Sequence, residues 1–165
     1  MSKSTAYIAC LGLVLALATA EAAIGPASGA AAGTTASVTY LKGIARFQPA
    51  GSGAVTGLSL GQRLSEGDAV ITRENSRCEI RLENGTAIRI GPSTRFTLTG
   101  LKRTATGGVR AMLKLVAGRL WFTVAKLTGD SELVTTTPSV VAAVKGTVYR
   151  ADVSETGGTD IAVYD

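Results

Sequence analysis

The stretch from Arg77 to Ile90 constrains the fold more tightly than any other part of the chain. Cys78, Ile80 and Leu82 alternate with Arg77, Glu79 and Arg81, and beyond Glu83-Asn84-Gly85 the apolar Ile88 and Ile90 flank Arg89. A period of two is the mark of a half-buried strand, and Asn-Gly between two such arms marks a hairpin. The alternation also sets the register. A two-residue Asn-Gly loop would place Arg81 opposite Ile88 and mix the faces. A three-residue loop sets Ile80 opposite Ile88, Cys78 opposite Ile90 and Glu79 opposite Arg89, an outer ion pair. A slip by one residue would turn every apolar side chain outward. The expectation is a three-residue loop with Gly85 at positive φ, where glycine alone is free of strain.

The same grammar runs through the rest of the chain. Short runs of Val, Ile, Thr and Leu recur between turn residues, and no amphipathic helix follows the first 22 residues. This predicts an all-β fold: a single compact β-sandwich or solenoid-like domain of short, mainly antiparallel strands, preceded by a signal peptide helix. Strands are expected over 37–41, 44–48, 69–72, 77–82, 86–90, 95–98, 110–115, 120–124, 132–136, 147–153 and 160–164. Gly67-Asp68 punctuates the chain before Ala69, and Asp68 is expected to accept hydrogen bonds from backbone N–H groups in a tight turn. A metal-binding or catalytic carboxylate is the alternative. Gly91-Pro92-Ser93 reads as a turn, Thr104 to Gly108 as a hairpin tip, and Gly118-Arg119 as a tight connection. Thr137 to Val153 reads as a core connector. Pro138 ends a strand, Val140, Val141 and Val144 lack strict alternation, Gly146 allows close backbone approach, and Thr147 bonds locally.

The N-terminus reads as an export signal. Lys3 supplies a positive start, residues 5–17 form an uncharged apolar run too short to span a bilayer, and Ala18-Thr19-Ala20 and Ala20-Glu21-Ala22 fit small-x-small cleavage sites. An uncleaved anchor is the alternative. Cys10 lies inside the run, which argues against a lipoprotein. The organisation expected is a signal peptide over 1–22, a flexible Ala/Gly-rich leader over 23–36, and one all-β domain over 37–165.

The chain carries 17 Lys+Arg against 12 Asp+Glu, a net charge of +5 and a pI near 9.5. The balance survives loss of Lys3 and Glu21 with the signal. It favours an acidic partner: a protein face, an acidic polysaccharide or a membrane surface. Nucleic acid is not expected as a partner, because no long Lys/Arg cluster exists and aromatics for base stacking are few.

The residue inventory leaves little room for catalysis. No His is present, which removes the commonest general base and transition-metal ligand. Cys78 would be the lone thiol after signal removal, so neither a disulfide nor a tetrahedral zinc site can form within the chain. Its alternation with Arg77 and Glu79 makes it a small buried apolar side chain, with a reactive thiol as the alternative. No Gly-x-Ser-x-Gly elbow occurs. Lys145-Gly146-Thr147 lacks the preceding Gly-rich run and the following helix of a phosphate loop. A carboxylate-only enzyme would need two acids across a cleft, whereas Glu66, Asp68, Glu74, Glu83, Asp130 and Glu155 fall in turns or on polar strand faces. No enzyme, no metal and no cofactor is expected. Trp121 lies on the strand face opposite Leu120 and Phe122. It either fills a second, smaller core or offers a ligand or partner contact.

Two blocks carry a family resemblance. The first is Leu60-Gly61-Gln-Arg-Leu64-Ser-Glu-Gly67-Asp68-Ala-Val-Ile-Thr72, leading through Arg77-Cys-Glu-Ile-Arg-Leu82 to Glu83-Asn84-Gly85-Thr86. The second is Leu133-Val-Thr-Thr-Thr-Pro138 through Lys145-Gly146-Thr147 to Val153. In order and spacing these segments, roughly Leu58 to Tyr164, resemble the FecR-like domain. That is the extracytoplasmic all-β domain of ferric-citrate-type signalling regulators. The best-known members pass a signal from an outer-membrane receptor to an extracytoplasmic-function sigma factor. They also carry a cytosolic anti-sigma segment, a membrane helix and often a receptor-contacting domain. Only the all-β domain is resembled here, with a signal peptide ahead of it, so a stand-alone secreted member is expected. The resemblance implies no catalytic residues. Gly61, Gly67, Asp68, Thr72, Gly85, Gly118, Pro138, Gly146 and Thr147 match recurring positions and are read as structural.

Two functions follow as expectations. One is a non-enzymatic periplasmic interaction or sensing module in envelope signal transduction, with a protein partner. The other is a module that binds peptidoglycan or another envelope polysaccharide.

Overall fold

Every regular element is a strand in the computed structural model, which describes residues 34–124, 131–145 and 147–164. The expected signal peptide over 1–22, residues 23–33 of the expected leader, and Gly146 lie outside the described residues. The end of that leader is corrected, since Thr34 and Ala36 are buried and Ala36 begins the first strand. The strands are β1 Ala36–Lys42, β2 Ala45–Gln48, β3 Thr56–Gly57, β4 Arg63–Leu64, β5 Ala69–Thr72, β6 Arg77–Leu82 and β7 Ala87–Ile90. They continue with β8 Arg95–Arg103, β9 Val109–Thr123, β10 Glu132–Thr136, β11 Val141–Val144, β12 Val148–Val153 and β13 Thr159–Tyr164.

The hairpin of β6 and β7 forms in the expected register. Cys78 faces Ile90, Glu79 faces Arg89 and Ile80 faces Ile88. The Leu82 N–H donates to the Thr86 carbonyl at 2.9 Å, which leaves a loop of Glu83, Asn84 and Gly85. Gly85 has φ 84° and its N–H donates back to the Leu82 carbonyl at 2.9 Å. Glu79 and Arg89 pair at 3.0 Å on the outer face.

The strands join into one curled sheet with the order β3-β2-β5-β8-β9-β7-β6-β1-β4, and β10-β11 and β12-β13 branch from β9. The all-β, mainly antiparallel expectation holds, whereas a single curled sheet stands in place of the expected sandwich or solenoid-like domain. The parallel exception among the described pairings is β10 against β9. What organises the sheet is the length of β9. Its first half pairs with β8 and β10, and its second half with β7 and β12. Gly118-Arg119, expected as a tight connection, is instead a bend within this strand. The register slips between Arg95 opposite Ala117 and Phe96 opposite Leu115, a β-bulge that sharpens the local twist. Gly118 takes φ 92° there, and a Cβ would meet the Ser93 carbonyl oxygen at 2.7 Å and collide with the Thr94 hydroxyl. One strand therefore runs where two were expected, because each half finds ladder partners on both sides.

The inward side chains make one apolar core. Val38, Ile80, Ile88, Leu120, Phe122 and Tyr149 come from one half of the sheet, and Val70, Phe96, Leu98, Leu113, Leu115 and Leu133 from the other. The rings of Phe122 and Tyr149 stack at 4.3 Å. The Tyr149 hydroxyl hydrogen-bonds the Thr135 hydroxyl at 2.8 Å inside this core and ties β12 to β10.

The segment after β10 corrects the connector expectation. The strand does end at Thr136, before Pro138. The chain then turns at Pro138-Ser139, where the Thr137 N–H donates to the Val140 carbonyl at 2.8 Å. It returns as β11 antiparallel to β10, with Thr136 opposite Val141. Val141 is 68% exposed. The Val-Ala run extends a sheet edge, so its irregular apolar pattern reflects a strand paired, among the described residues, on one side rather than burial on both. Thr147, expected to bond locally, has a buried hydroxyl without a hydrogen-bond partner among the described residues.

Candidate functional site

The outward face of β1, β6, β7, β9, β12 and β13 collects the chain's most distinctive side chains. Register lines them up: Tyr40, Glu79, Arg89, Trp121, Arg150 and Ala162 lie opposite one another on successive strands. Tyr40 reaches this row because a bulge between Val38 and Tyr40 inserts Thr39 into β1. Trp121 thus has an arginine on each neighbouring strand. A third, Arg119, places its Cζ 5.4 Å from the indole centroid, within cation–π range. The floor beside the ring is Gly91, where a Cβ would stand 3.2 Å from the Trp121 Cζ3. The backbone comes that close only because the residue has no side chain.

Two carboxylates hold these arginines in place. Glu79 accepts from Arg81 and Arg89, each at 3.0 Å, and from the Thr39 hydroxyl at 3.1 Å. The Arg81 hydrogen bond, with those of Arg89 and Thr39, keeps the Glu79 carboxyl below its ordinary range against the opposing effect of burial. Asp152 pairs with Arg119 and, at 2.6 Å, with Arg150. Arg150 also reaches Asp160 at 3.3 Å and the Tyr164 hydroxyl at 3.2 Å. The charge of Asp152, ahead of the other contacts, raises the Arg150 pKa further. The face carries five arginines (77, 81, 89, 119 and 150) against Glu79, Asp152 and Asp160. Arg77 has no carboxylate partner among the described residues. An open groove of about 580 Å³ lies on this face, bounded chiefly by Tyr40, Arg77, Glu79, Arg89, Trp121 and Val148.

A family model described as FecR protein matches residues 68–165. The chain belongs to the FecR family. Comparison with curated proteins and with solved structures found no match. The FecR match runs from β5 to β13 and holds every groove residue named above except Tyr40, which β1 supplies.

The positions singled out in the sequence do not gather at the groove, Trp121 excepted. Asp68, the first residue of the FecR match, is buried and accepts from the N–H groups of Ala50 at 2.9 Å and Ser65 at 2.8 Å. Its carboxylate therefore works as a turn clamp. Gly67 beside it has φ 91° and presses on Ala50. Gly61 has φ 78° in an exposed turn. Thr72 and Gly118 meet in one hydroxyl relay. The Thr72 hydroxyl donates to the Gly91 carbonyl at 2.7 Å and accepts from the Thr94 N–H at 3.0 Å. The Thr94 hydroxyl in turn accepts from the Arg119 N–H at 2.9 Å. This relay pins the Gly91–Thr94 turn against the bend in β9 and so sets the height of Arg119 and Trp121. Gly85 closes the hairpin loop, Pro138 sits in an exposed turn, and Gly146 lies outside the described residues.

Cys78 is buried, and burial pushes its thiol up to about 12, the condition of an inert apolar side chain. Trp121 stays half-buried on the outer face and is not part of the core. Sequence reasoning found Trp121 but missed Tyr40, Arg77, Arg89, Arg119 and Arg150 as its neighbours. The local signal existed, since Arg119 shares the Trp121 face by period two. The registers of β7 and β12 against β9 are long-range and leave no local trace. Among the described residues, no group of three or more His, Cys, Asp or Glu side chains could hold a metal ion.

Proposed function

We propose that this FecR-family chain is an exported, non-enzymatic interaction or sensing module in envelope signal transduction, working in the periplasm through a protein partner. In this reading residues 1–22 are a cleaved signal, a leader follows, and the strands from β1 onward are the working domain. The positions Gly61, Gly67, Asp68, Thr72, Gly85, Gly118, Pro138, Gly146 and Thr147 serve the fold. Family membership supports a regulator-like role. The absence of His from the sequence favours recognition over catalysis.

The observation that carries a protein partner is the state of the sheet edges. The short edges β3 and β4 span two residues each. By contrast β11 and β13, among the described residues, pair on one side only and present Val141, Val163 and Tyr164 to solvent. Open, partly apolar edges favour association with another chain by strand addition.

The test is a transcript profile under envelope stress in the host. It compares a deletion strain complemented with wild type, with Val141→Lys or with Val163→Lys. The wild-type gene is expected to restore a defined response that at least one edge variant fails to restore, with melting temperatures within a few degrees of each other. Identical profiles with and without the gene would reject a signalling role. Intact masses from the periplasmic fraction should lack the first 22 residues, and recovery of Met1 in membranes would reject cleavage.

A further inference from the structure

We propose that the groove beside Trp121 binds a carboxylate-bearing glycan, with a sugar ring against the indole and its acid group on the arginines. This goes beyond the protein-partner reading and uses a different surface, the outward face rather than the β11 and β13 edges.

Three features of the groove converge on that ligand. The first is a pair of aromatics, Trp121 and the 48% exposed Tyr40, on one groove. The apolar C–H faces of a pyranose pack on such rings. Trp121 is also held in advance, by Gly91 at its edge and by Arg119 from outside the groove, so little ordering is lost on binding.

The second feature is unspent donor capacity. Arg89 meets Glu79 through Nε, which leaves both of its Nη groups without a hydrogen-bond partner among the described residues. Arg77 has no ion-pair partner there at all. A guanidinium whose Nε is anchored and whose Nη groups are free is a preset fork for a carboxylate. Glu79 orients Arg89 without using up its fork.

The third feature is shape. The groove is open to solvent on the outward face of the sheet, so it does not enclose its ligand and leaves room for a chain longer than one ring. An acidic peptide would gain the arginine contacts but would leave the two aromatic faces without a partner. A neutral glycan would leave the arginine forks unpaired. An acidic glycan satisfies both sets.

Trp121 is the only tryptophan of the chain, so selectively excited indole fluorescence reports on this site alone. The probes are oligogalacturonate, an uncharged galactan oligosaccharide of equal length, and polyglutamate. Oligogalacturonate is expected to change the emission saturably and to bind at least ten-fold more tightly than either of the others by calorimetry. Arg77→Gln and Arg89→Gln should each weaken it several-fold. Trp121→Ala should abolish binding, and Trp121→Phe, which keeps a flat ring if the alanine variant unfolds, should retain most of it. Val141→Lys and Val163→Lys should leave it unchanged, which separates this site from the edge-mediated role. Equal binding of polyglutamate would overturn the proposal in favour of an acidic protein face. No saturable binding of oligogalacturonate, or full binding by Trp121→Ala, would also overturn it.

Discussion

Gly118 and Cys78 illustrate how much the fold asks of single residues. At Gly118 two constraints coincide: φ 92°, which side chains rarely adopt, and a Ser93 carbonyl 2.7 Å from where a Cβ would stand. A loop position can relax one of these, but a bend inside a strand paired on both sides can relax neither. Gly118→Val is therefore expected to cost more than about 2 kcal/mol, measured by urea melts. Lys145→Ala, at an exposed site, should stay within about half a kcal/mol. Cys78 makes a different demand. Its folded-state pKa is about 12 against an ordinary 9.0. A thiol raised in this way contributes stability that is complete below its ordinary value and is lost as pH rises through the folded one. Melting temperature should fall between pH 9 and 12, a window set by those two values. Burial raises the Tyr149 phenol as well, so Cys78→Ala should remove only part of that slope. Iodoacetamide at pH 8 should modify Cys78 in urea and spare it in the folded protein. Rapid labelling of Cys78 in the native state would contradict the buried assignment.

The hairpin of β6 and β7 shows a local pattern deciding an element completely. Ile80 is buried opposite Ile88, while Arg81, one residue on, is exposed. Ile80→Asp should cost more than about 3 kcal/mol, because it places an unpaired carboxylate in the core of a domain whose whole stability is of that order. Arg81→Ser loses one exposed contact to Glu79, worth a few tenths of a kcal/mol at most. Equal thermal midpoints for the two variants would refute the facing of β6. Legibility followed the range of the interactions. This hairpin could be read to the residue, since alternation and an Asn-Gly turn are both local. Strand positions from β5 to β7 and from β12 to β13 were legible for the same reason, whereas β8, expected over 95–98, runs on to Arg103. The merger of two expected strands into β9 was not. Glycine at 118 signals a break in either case, and only the long-range Thr94 contact decides between a loop and a bulge. β11 was misread because an apolar run reads alike on a sheet edge and in a core. At the groove, Trp121 stood out by residue type, while its arginine neighbours came from registers that no short segment encodes.

At the scale of the molecule, the question is what makes one curled sheet behave as a unit. Its two halves share β9, and their inward side chains form a single core. Apolar burial is non-directional and by itself would tolerate some sliding of one half over the other. The Thr135–Tyr149 hydrogen bond is directional. At 2.8 Å and buried, it fixes β12, which hangs on the second half of β9, against β10, which hangs on the first. Tyr149→Phe would leave the Thr135 hydroxyl buried without this partner, and Thr135→Val would do the same to the phenol. Each should cost about 1–3 kcal/mol. The double variant removes both polar atoms and leaves no orphan, so its cost should fall well short of the sum of the singles, with a coupling of about 1 kcal/mol or more. Urea melts of the four proteins measure this directly. All four should unfold in one transition with similar m-values, because a single core gives neither half a structure to keep when the other is lost. Strict additivity would show that the bond is incidental. A second transition in Tyr149→Phe would show that the halves fold as separate units joined only through β9.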